Sequence, residues 1–341
     1  MICINDLRAA FKKGDHKVVK EFMQPGTVYF LQLDTHKLYS WYAEEIIIMT
    51  QTYKASLKDF VLVHMTDNLK NNHIPLYDQF YKEWRYVIRN YWWNDKILLP
   101  MFNDGFLSYF PLGYSSHMHN AAAESVVLPP GDRPDVMTFQ GNSQSGNYKR
   151  AGHLRELTRV TGFNVSGQVQ KNSFGYGSTQ QYREFMLKSK FCINIQGRFV
   201  ECYRMYDALE VGCIVVMIDE WDNFNYIDRY SEQMYPILNF TWMDSQGNAV
   251  GHQDASGTKR TAPFLRYNTG GNGATLVPFL YLKNTADFNR ALEELLQNPA
   301  DMKSIQAEST LWWTQMKQHY RKMLVNKLCV SNGEPLLDLG I

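Results

Sequence analysis

The sequence is poor in cysteine and carries almost no net charge. Its 341 residues include 5 cysteines, no two of them in a Cys-x-x-Cys pair, and 35 Lys and Arg balance 34 Asp and Glu. A disulfide framework or a zinc ribbon needs more cysteines at closer spacing. A formal charge of +1 creates no overall attraction for nucleic acid or an acidic membrane. We therefore expect no nucleic-acid partner, and we expect any anion to bind at a local site.

Long apolar segments are also missing. The longest strongly apolar run is Cys213–Ile218, whereas a membrane-spanning helix needs about 20 residues. Residues 1–24 contain no apolar core of the kind found in signal peptides. The sequence as given therefore predicts a soluble chain without a membrane span.

Several motifs of known chemistry are absent. The sequence has no GxxxxGK[ST] phosphate loop, no GxSxG, no HExxH, no GxGxxG and no Asp-x-Asp pair. Divalent cations need clustered carboxylate oxygens. The missing Asp-x-Asp pair thus predicts that a nucleotide diphosphate, if one binds, is held by basic side chains and helix ends and not by a metal. His117-Met118-His119 is open to two interpretations, a metal-binding pair or histidines of a polar loop, and the missing third ligand favours the loop.

Short apolar segments alternate with stretches of helical periodicity. This alternation predicts βαβ units around parallel sheets. The strand candidates are Val28–Leu33, Ile46–Met49, Phe60–Met65, Tyr86–Arg89, Leu107–Leu112, Val136–Gln140, Phe191–Ile195, Cys213–Ile218, Tyr235–Leu238 and Val277–Leu282. The helix candidates are Gly152–Val160, Thr179–Leu187, Val200–Val211, Asp287–Gln297 and a long C-terminal helix over about 301–328.

A linker divides the predicted elements into two groups. Residues 126–134 combine prolines, a glycine and charged residues, which is typical of a connection between domains. We therefore predict an N-terminal domain over residues 1–130 and a C-terminal domain over 131–341, with the last helix packing back on the first. Residues 244–275 are rich in small polar residues and are too long for a passive connection, so we interpret them as a functional lid or as partly disordered.

The most informative stretch is Leu187–Asp219. It contains a buried strand, a loop with Gly197, an amphipathic helix and a second buried strand. A glycine allows close approach of the backbone to a ligand, and a helix start offers free N–H groups to an anion. Arg204 and Asp207 share one face of this helix, where they could contact phosphate and ribose oxygens. Spacing alone permits a second interpretation, an Arg–Asp pair on the surface.

The residues of this stretch resemble the exostosin-like glycosyltransferases. The family pattern S-K/D-F, a glycine loop, Y-R-x-x-E-A and G-C/S-I-P-V corresponds here to Ser189-Lys190-Phe191, Gly197, Tyr203–Ala208 and Gly212–Val216. Within the family, the motif is most similar to that of the ribitol-5-phosphate xylosyltransferases. Asp207 stands where the family has glutamate, and Val215 replaces its proline.

Weaker similarities extend the resemblance over about residues 58–325. They lie in Phe60–His64, Phe110–Gly113 and Val277–Asn284. The resemblance implies an α/β fold of GT-B type, with two Rossmann-like domains whose parallel sheets face a cleft. It also implies inverting, metal-independent transfer of a sugar, xylose in the first instance, from a UDP-sugar to a hydroxyl of a glycan acceptor. No obligatory cofactor is expected beyond the donor substrate.

The resemblance places the donor site on the C-terminal domain. The predicted donor-binding residues are Gly141, Asn142, Arg150, Gln196, Gly197, Arg198, Glu201, Tyr203, Arg204 and Asp207. Inverting transfer needs a general base on the N-terminal domain. Asp67 is the main candidate because it follows a predicted strand, and His64 and His117 are further candidates. His64 also fits a core histidine, since it lies inside the strand.

Two other functions and two locations remain open at this stage. The chain could be a non-catalytic carbohydrate- or nucleotide-binding module that kept the fold, or a nucleotide-sugar hydrolase or epimerase. With no membrane span in the sequence, the cytoplasm is expected, as for a viral or microbial enzyme. The alternative is the soluble part of a Golgi-anchored enzyme whose anchor was removed.

Overall fold

The structure, a computed structural model, divides the chain into two compact units. The first unit comprises Met1–Leu112 and Gln318–Ile341, and the second comprises Gly113–Lys317. The residues that the structure describes are 2–25, 27–33, 39–66, 80–90, 105, 107–111, 113, 118, 128–139, 141–142, 150–161, 169–170, 179–195, 201–218, 242–243, 245, 247, 249–250, 279–282 and 284–331.

A five-stranded parallel sheet forms the centre of the first unit. Its strands follow one another in the order β1-β2-β3-β4-β5. They are β1 (Ile2–Cys3), β2 (Val28–Leu33), β3 (Val61–Thr66), β4 (Tyr86–Arg89) and β5 (Leu107–Tyr109). Residues Val61–His64 and the whole of β4 are buried, as expected for inner strands of a parallel sheet, which are covered on both faces.

Between β1 and β3 the structure describes three α-helices, and one of them corrects a prediction. They are α1 (Ile4–Lys12), α2 (His16–Phe22) and α3 (Tyr39–Tyr53). The predicted strand Ile46–Met49 is wrong, because these residues lie within α3. Ile46 and Met49 are buried, whereas Ile47 and Ile48 are 40% and 51% exposed. Burial three residues apart follows the helical period, which a four-residue apolar run is too short to reveal.

A four-stranded parallel sheet in the order β13-β10-β9-β6 forms the second unit. Its strands are β6 (Asp135–Thr138), β9 (Ser189–Ile193), β10 (Ile214–Ile218) and β13 (Phe279–Leu282). Two short pairs accompany it, β7 (Gly141–Asn142) with β8 (Val169–Gln170), and β11 (Trp242–Met243) with β12 (Ala249–Val250). The predicted strand Tyr235–Leu238 and most of the predicted lid, 244–275, lie outside the described residues.

The predicted helices of the C-terminal half are all confirmed, with ends shifted by a few residues. They are α4 (Arg150–Thr161), α5 (Thr179–Lys188), α6 (Tyr203–Glu210), α7 (Thr285–Gln297) and α8 (Pro299–Ser331). Gly212, with φ of 65°, turns the chain after α6, because glycine adopts the left-handed conformation without steric cost. Leu157, Phe191, Val216, Leu280 and Phe288 are among the buried core residues between α4, α7 and the sheet.

Helix α8 begins in the second unit and ends in the first. In the first unit, the Tyr320 ring lies edge-on to those of Tyr109 and Phe110, at 5.9 and 5.8 Å between centroids. Within the described parts of the chain, no helix is long and apolar enough to cross a membrane.

The α/β fold class with parallel sheets is confirmed, with one main parallel sheet in each unit. Two Rossmann-like α/β units are the components that the GT-B type requires. The predicted boundary near residue 130 stays a prediction. Next to it, Pro130–Asp132 forms a 3₁₀ turn that leads to Arg133, a buried residue.

Candidate functional site

The candidate site lies where β9 leads into α6 in the second unit. The strand ends at Ile193, and the buried residues Asn194 and Ile195 continue it. Helix α6 begins at Tyr203 and returns the chain to β10, which is parallel to β9. In open parallel sheets, ligands bind beyond the carboxyl ends of the strands, and a helix start there attracts anions.

Helix α6 is buried along most of its length, including the charged residues Arg204 and Asp207. Arg204 is 8% exposed and Asp207 is 1% exposed. The interpretation of these two residues as a surface pair is therefore wrong. Burying an ionised side chain is costly unless it is hydrogen-bonded or paired, so such residues require an explanation from their contacts.

Arg204 contacts the ends of two strands. Its Nη2 donates to the carbonyl oxygen of Ile195 at 3.1 Å, and its guanidinium carbon lies 4.9 Å from the centroid of the Phe139 ring. Ile195 follows β9, and Phe139 follows β6, directly beside β9 in the sheet. The guanidinium is thus held at the carboxyl edge of the sheet, where its five N–H donors suit phosphate oxygens.

Asp207 contacts a residue of the preceding helix. The buried Tyr182 hydroxyl, from α5, donates to Asp207 Oδ2 at 2.5 Å. A short hydrogen bond of this kind is typical of a hydroxyl bound to a carboxylate. The Asp207 carboxylate is therefore fixed in orientation on the same helix face as Arg204.

Glu201 and Cys202, just before α6, are also hydrogen-bonded. The Tyr206 hydroxyl donates to Glu201 Oε1 at 2.8 Å, and the Cys202 thiol donates to Asn194 Oδ1 at 2.7 Å. Tyr203, at the first position of the helix, is 41% exposed. An aromatic ring exposed beside a buried arginine provides a surface on which a planar base or a sugar can stack.

The far end of α6 is attached to α8. Glu210 Oε2 accepts from Trp313 Nε1 at 2.7 Å and from Lys317 Nζ at 2.8 Å. The Tyr206 and Trp313 rings also pack, with centroids 5.2 Å apart. These contacts fix the axis of α6 within the second unit.

The other predicted donor-binding residues are placed only in part. Gly141 and Asn142 form β7, and Arg150 begins α4, but their side chains lie outside the described structure. Gln196, Gly197 and Arg198 lie outside the described residues altogether. Their roles in donor binding stay predictions.

Of the three candidate bases, the structure describes His64. It is fully buried in β3, and its Nδ1 is hydrogen-bonded to the Tyr81 hydroxyl at 2.5 Å. Burial, together with the charge of Arg89 opposite it on β4, holds the pKa of His64 well below its usual value. This placement agrees with a core histidine. Asp67 and His117 lie outside the described residues.

Sequence reasoning missed Phe139 and Tyr182. Each contacts a predicted site residue on α6 from a distant part of the chain. A sequence pattern can indicate that Phe139 ends a strand and that Tyr182 lies on a helix, but not which side chain each one meets. Among the described residues, no three His, Cys, Asp or Glu side chains are grouped to hold a metal ion. Metal independence stays a prediction.

Comparison with known proteins supports a class of activity. Residues 101–235 match the Exostosin GT47 domain, which includes α6 and both flanking strands. This match confirms the predicted resemblance to the exostosin-like glycosyltransferases over these residues, and the family implies transfer of a sugar from a nucleotide-sugar donor to a glycan acceptor. The narrower similarity to ribitol-5-phosphate xylosyltransferases stays a prediction.

No curated protein sequence matches the chain. Among solved structures, the chain is similar to sucrose-phosphate synthase from Thermosynechococcus elongatus, with 10% sequence identity and a TM-score of 0.45, over 92% of this chain and 77% of that chain.

Proposed function

We propose that this protein is an inverting, metal-independent glycosyltransferase that moves xylose from UDP-xylose to a hydroxyl of a glycan acceptor. The observation that carries the proposal is the buried pair of charged residues on α6, Arg204 and Asp207, inside the segment that matches the Exostosin GT47 domain. Each is fixed by a contact from another element, as a preorganised ligand site requires.

Arg204 binds the diphosphate of the donor in this proposal. Its guanidinium and the N–H groups at the start of α6 neutralise the charge that develops on the leaving diphosphate. A metal ion would otherwise supply that charge, so no obligatory cofactor is proposed. Asp207 accepts hydrogen bonds from ribose hydroxyls, and the exposed Tyr203 ring supplies a stacking surface for the uracil.

The transfer itself is a single displacement. Asp67 removes the proton from the acceptor hydroxyl, the acceptor oxygen bonds to the anomeric carbon, and the bond from that carbon to the diphosphate breaks with inversion. UDP and the extended glycan are released. His64 is not assigned this step because it is buried and hydrogen-bonded to Tyr81.

A panel of donors tests the proposal. Purified protein is incubated with UDP-xylose, UDP-glucose, UDP-galactose and GDP-mannose, and its thermal shift is measured, since a bound ligand stabilises the folded state by mass action. The largest shift is expected with UDP-xylose. Equal shifts with all three UDP-sugars would reject xylose as the donor sugar but leave the assignment as a glycosyltransferase in place. No shift with any of the three would reject binding of a UDP-sugar donor.

Release of UDP separates the proposed transferase from the alternatives. Release that depends on a glycan acceptor is expected of a transferase. Release without an acceptor would identify a hydrolase, and conversion of the sugar without release would identify an epimerase. Binding without any turnover would identify a non-catalytic module.

A further inference from the structure

We infer that Tyr182 is a positioning residue of the donor site, which orients the Asp207 carboxylate toward the ribose hydroxyls of the bound nucleotide. The inference rests on the proposed function and extends it to a helix that sequence reasoning did not assign to the site. Tyr182 lies on α5, whereas the predicted donor-binding residues near the site belong to α6 and the loop before it.

The contact between the two side chains is short and buried. Tyr182 donates its hydroxyl proton to Asp207 Oδ2 at 2.5 Å, and the two residues are 2% and 1% exposed. A hydrogen bond to a carboxylate is stronger than a neutral one, and it gains further strength away from water. The bond is thus able to impose an orientation on Asp207.

Aspartate needs such an orienting contact because its terminal torsion is soft. The torsion that rotates a carboxylate has a broad range of allowed angles. A hydroxyl bound to Oδ2 selects one orientation from that range. An ionised carboxylate accepts about four hydrogen bonds, so one bond from Tyr182 is compatible with bonds from ribose hydroxyls.

Arg204 shows the same kind of preparation on the same helix face. It is held by the Ile195 carbonyl and the Phe139 ring. Arg204 and Asp207 are therefore both fixed before a ligand arrives, which lowers the entropic cost of binding. Tyr182 performs for the ribose contact what Phe139 and Ile195 perform for the phosphate contact.

The alternative is that Tyr182 merely fills the core between α5 and α6. A packing role would affect every ligand of the site equally. A positioning role acts through Asp207 and affects only ligands that carry ribose hydroxyls. The two roles therefore differ in the effect on one ratio, the affinity for a nucleotide with ribose hydroxyls divided by the affinity for a nucleotide without them.

Calorimetric titration with UDP and with 2′,3′-dideoxy-UDP measures this ratio. Tyr182→Phe removes the hydroxyl and keeps the buried ring. We expect it to bind UDP about tenfold more weakly, a change of about 1.4 kcal/mol, and to bind dideoxy-UDP as wild type does. Asp207→Asn is expected to show the same pattern, and the double variant is expected to lose little more than either single one, since the two residues act as a unit.

Tyr86→Phe is the matched control. Tyr86 is a buried tyrosine of the first unit whose hydroxyl bonds to the Ser108 side chain, so its loss also removes a buried hydroxyl contact. Both affinities are expected to stay at wild-type values in this variant. If Tyr182→Phe does not fold, Tyr182→His is used instead. Its affinity for UDP divided by its affinity for dideoxy-UDP is expected to be lower than in wild type.

The outcomes distinguish the inference from the proposed function. If the Tyr182 variant weakens the binding of both nucleotides equally, or changes the binding of neither, the positioning role is overturned while UDP binding by the protein stands. If wild type binds both nucleotides equally, Asp207 does not meet the ribose and the inference is overturned. If wild type binds no UDP, the proposed function fails first, and the inference falls with it.

Discussion

The guanidinium of Arg204 lies over the ring of Phe139, with 4.9 Å between the guanidinium carbon and the ring centroid. Arg204 lies on α6 and Phe139 follows β6, and their contact fixes a buried cation at the edge where a ligand is proposed to bind. A cation over an aromatic face is stabilised by roughly 0.5–2 kcal/mol. The aromatic ring thus contributes to the position of the arginine as well as to the core.

Replacement of Phe139 by leucine tests this contact. The substitution keeps an apolar side chain but removes the aromatic face, so we expect UDP to bind several-fold more weakly, as measured by calorimetry. Phe191→Leu is the control, because Phe191 is buried in the same core. Both variants are expected to lose thermal stability, and an equal loss of UDP affinity in the two would reject a specific role for the Phe139 ring.

Arg204→Ala is expected to weaken UDP binding by a larger factor than Phe139→Leu does. A lost charge-assisted hydrogen bond costs about 1.5–3 kcal/mol, which corresponds to roughly 10- to 150-fold in affinity. Arg204→Lys keeps the charge but loses the planar fork of donors, so its affinity should lie between those of wild type and Arg204→Ala. Unchanged UDP affinity in Arg204→Ala would show that the arginine is structural.

Asp67→Asn is expected to abolish turnover and leave UDP affinity nearly unchanged. The amide cannot take the acceptor proton, whereas the donor site lies on the other unit in our proposal. UDP release in the presence of acceptor measures turnover, and calorimetry measures affinity. His64→Gln serves as the comparison, with turnover retained by the folded protein. Retained turnover in Asp67→Asn would remove Asp67 from the mechanism.

His64 predicts a dependence of stability on pH. Burial and the nearby Arg89 lower the pKa of His64 in the folded state below its ordinary value of 6.5. The unfolded chain therefore binds more protons below about pH 6.5, and the stability contributed by the neutral imidazole is complete above that pH and is lost as the pH falls. One group contributes at most about 1.4 kcal/mol per pH unit.

Thermal melting at pH 7.5 and 5.5 measures this dependence. We expect the fall in melting temperature on acidification to be smaller in His64→Gln than in wild type. The control is His16→Gln, because His16 is exposed, and its fall should equal that of wild type. If His64→Gln also behaves as wild type does, the buried histidine does not titrate with unfolding.

Arg133 is expected to matter for stability more than any exposed arginine. It is 1% exposed and donates to the carbonyl oxygens of Leu128, Ser189 and Val211. Its loss leaves buried acceptors without their donor, at about 1–3 kcal/mol each. We expect Arg133→Ala to lower the melting temperature by at least about 6 °C.

The comparison for Arg133 is Arg159→Ala. Arg159 forms an exposed ion pair with Glu156, one turn earlier on α4, and such pairs contribute little. A change in melting temperature close to zero is expected. Similar losses in the two variants would show that the buried hydrogen bonds of Arg133 add nothing to stability.

Local structure was predictable where the sequence pattern matched the environment. The strands at 28–33 and 86–89 were predicted with the bounds that the structure shows, because short segments rich in β-branched and aromatic residues favour strands. The run Ile46–Met49 is also rich in β-branched residues but lies in α3. Four residues are too few to separate the two periodicities, and only the neighbouring elements decided between them.

Some features of the candidate site were likewise predictable from the sequence, and others depended on the tertiary structure. The sequence by itself determined that α6 carries Arg204 and Asp207 one turn apart, because helical geometry follows from local spacing. Only the tertiary structure decided that both are buried, that Phe139 lies under the arginine and that Tyr182 binds the aspartate. Those contacts join residues far apart in the chain, and they depend on the order of strands in the sheet, which no local pattern encodes. The residues and motifs that the sequence lacks exclude several classes of protein. The tertiary contacts hold Arg204 at one edge of the sheet, so a chain with almost no net charge still has a local cation at which an anion can bind.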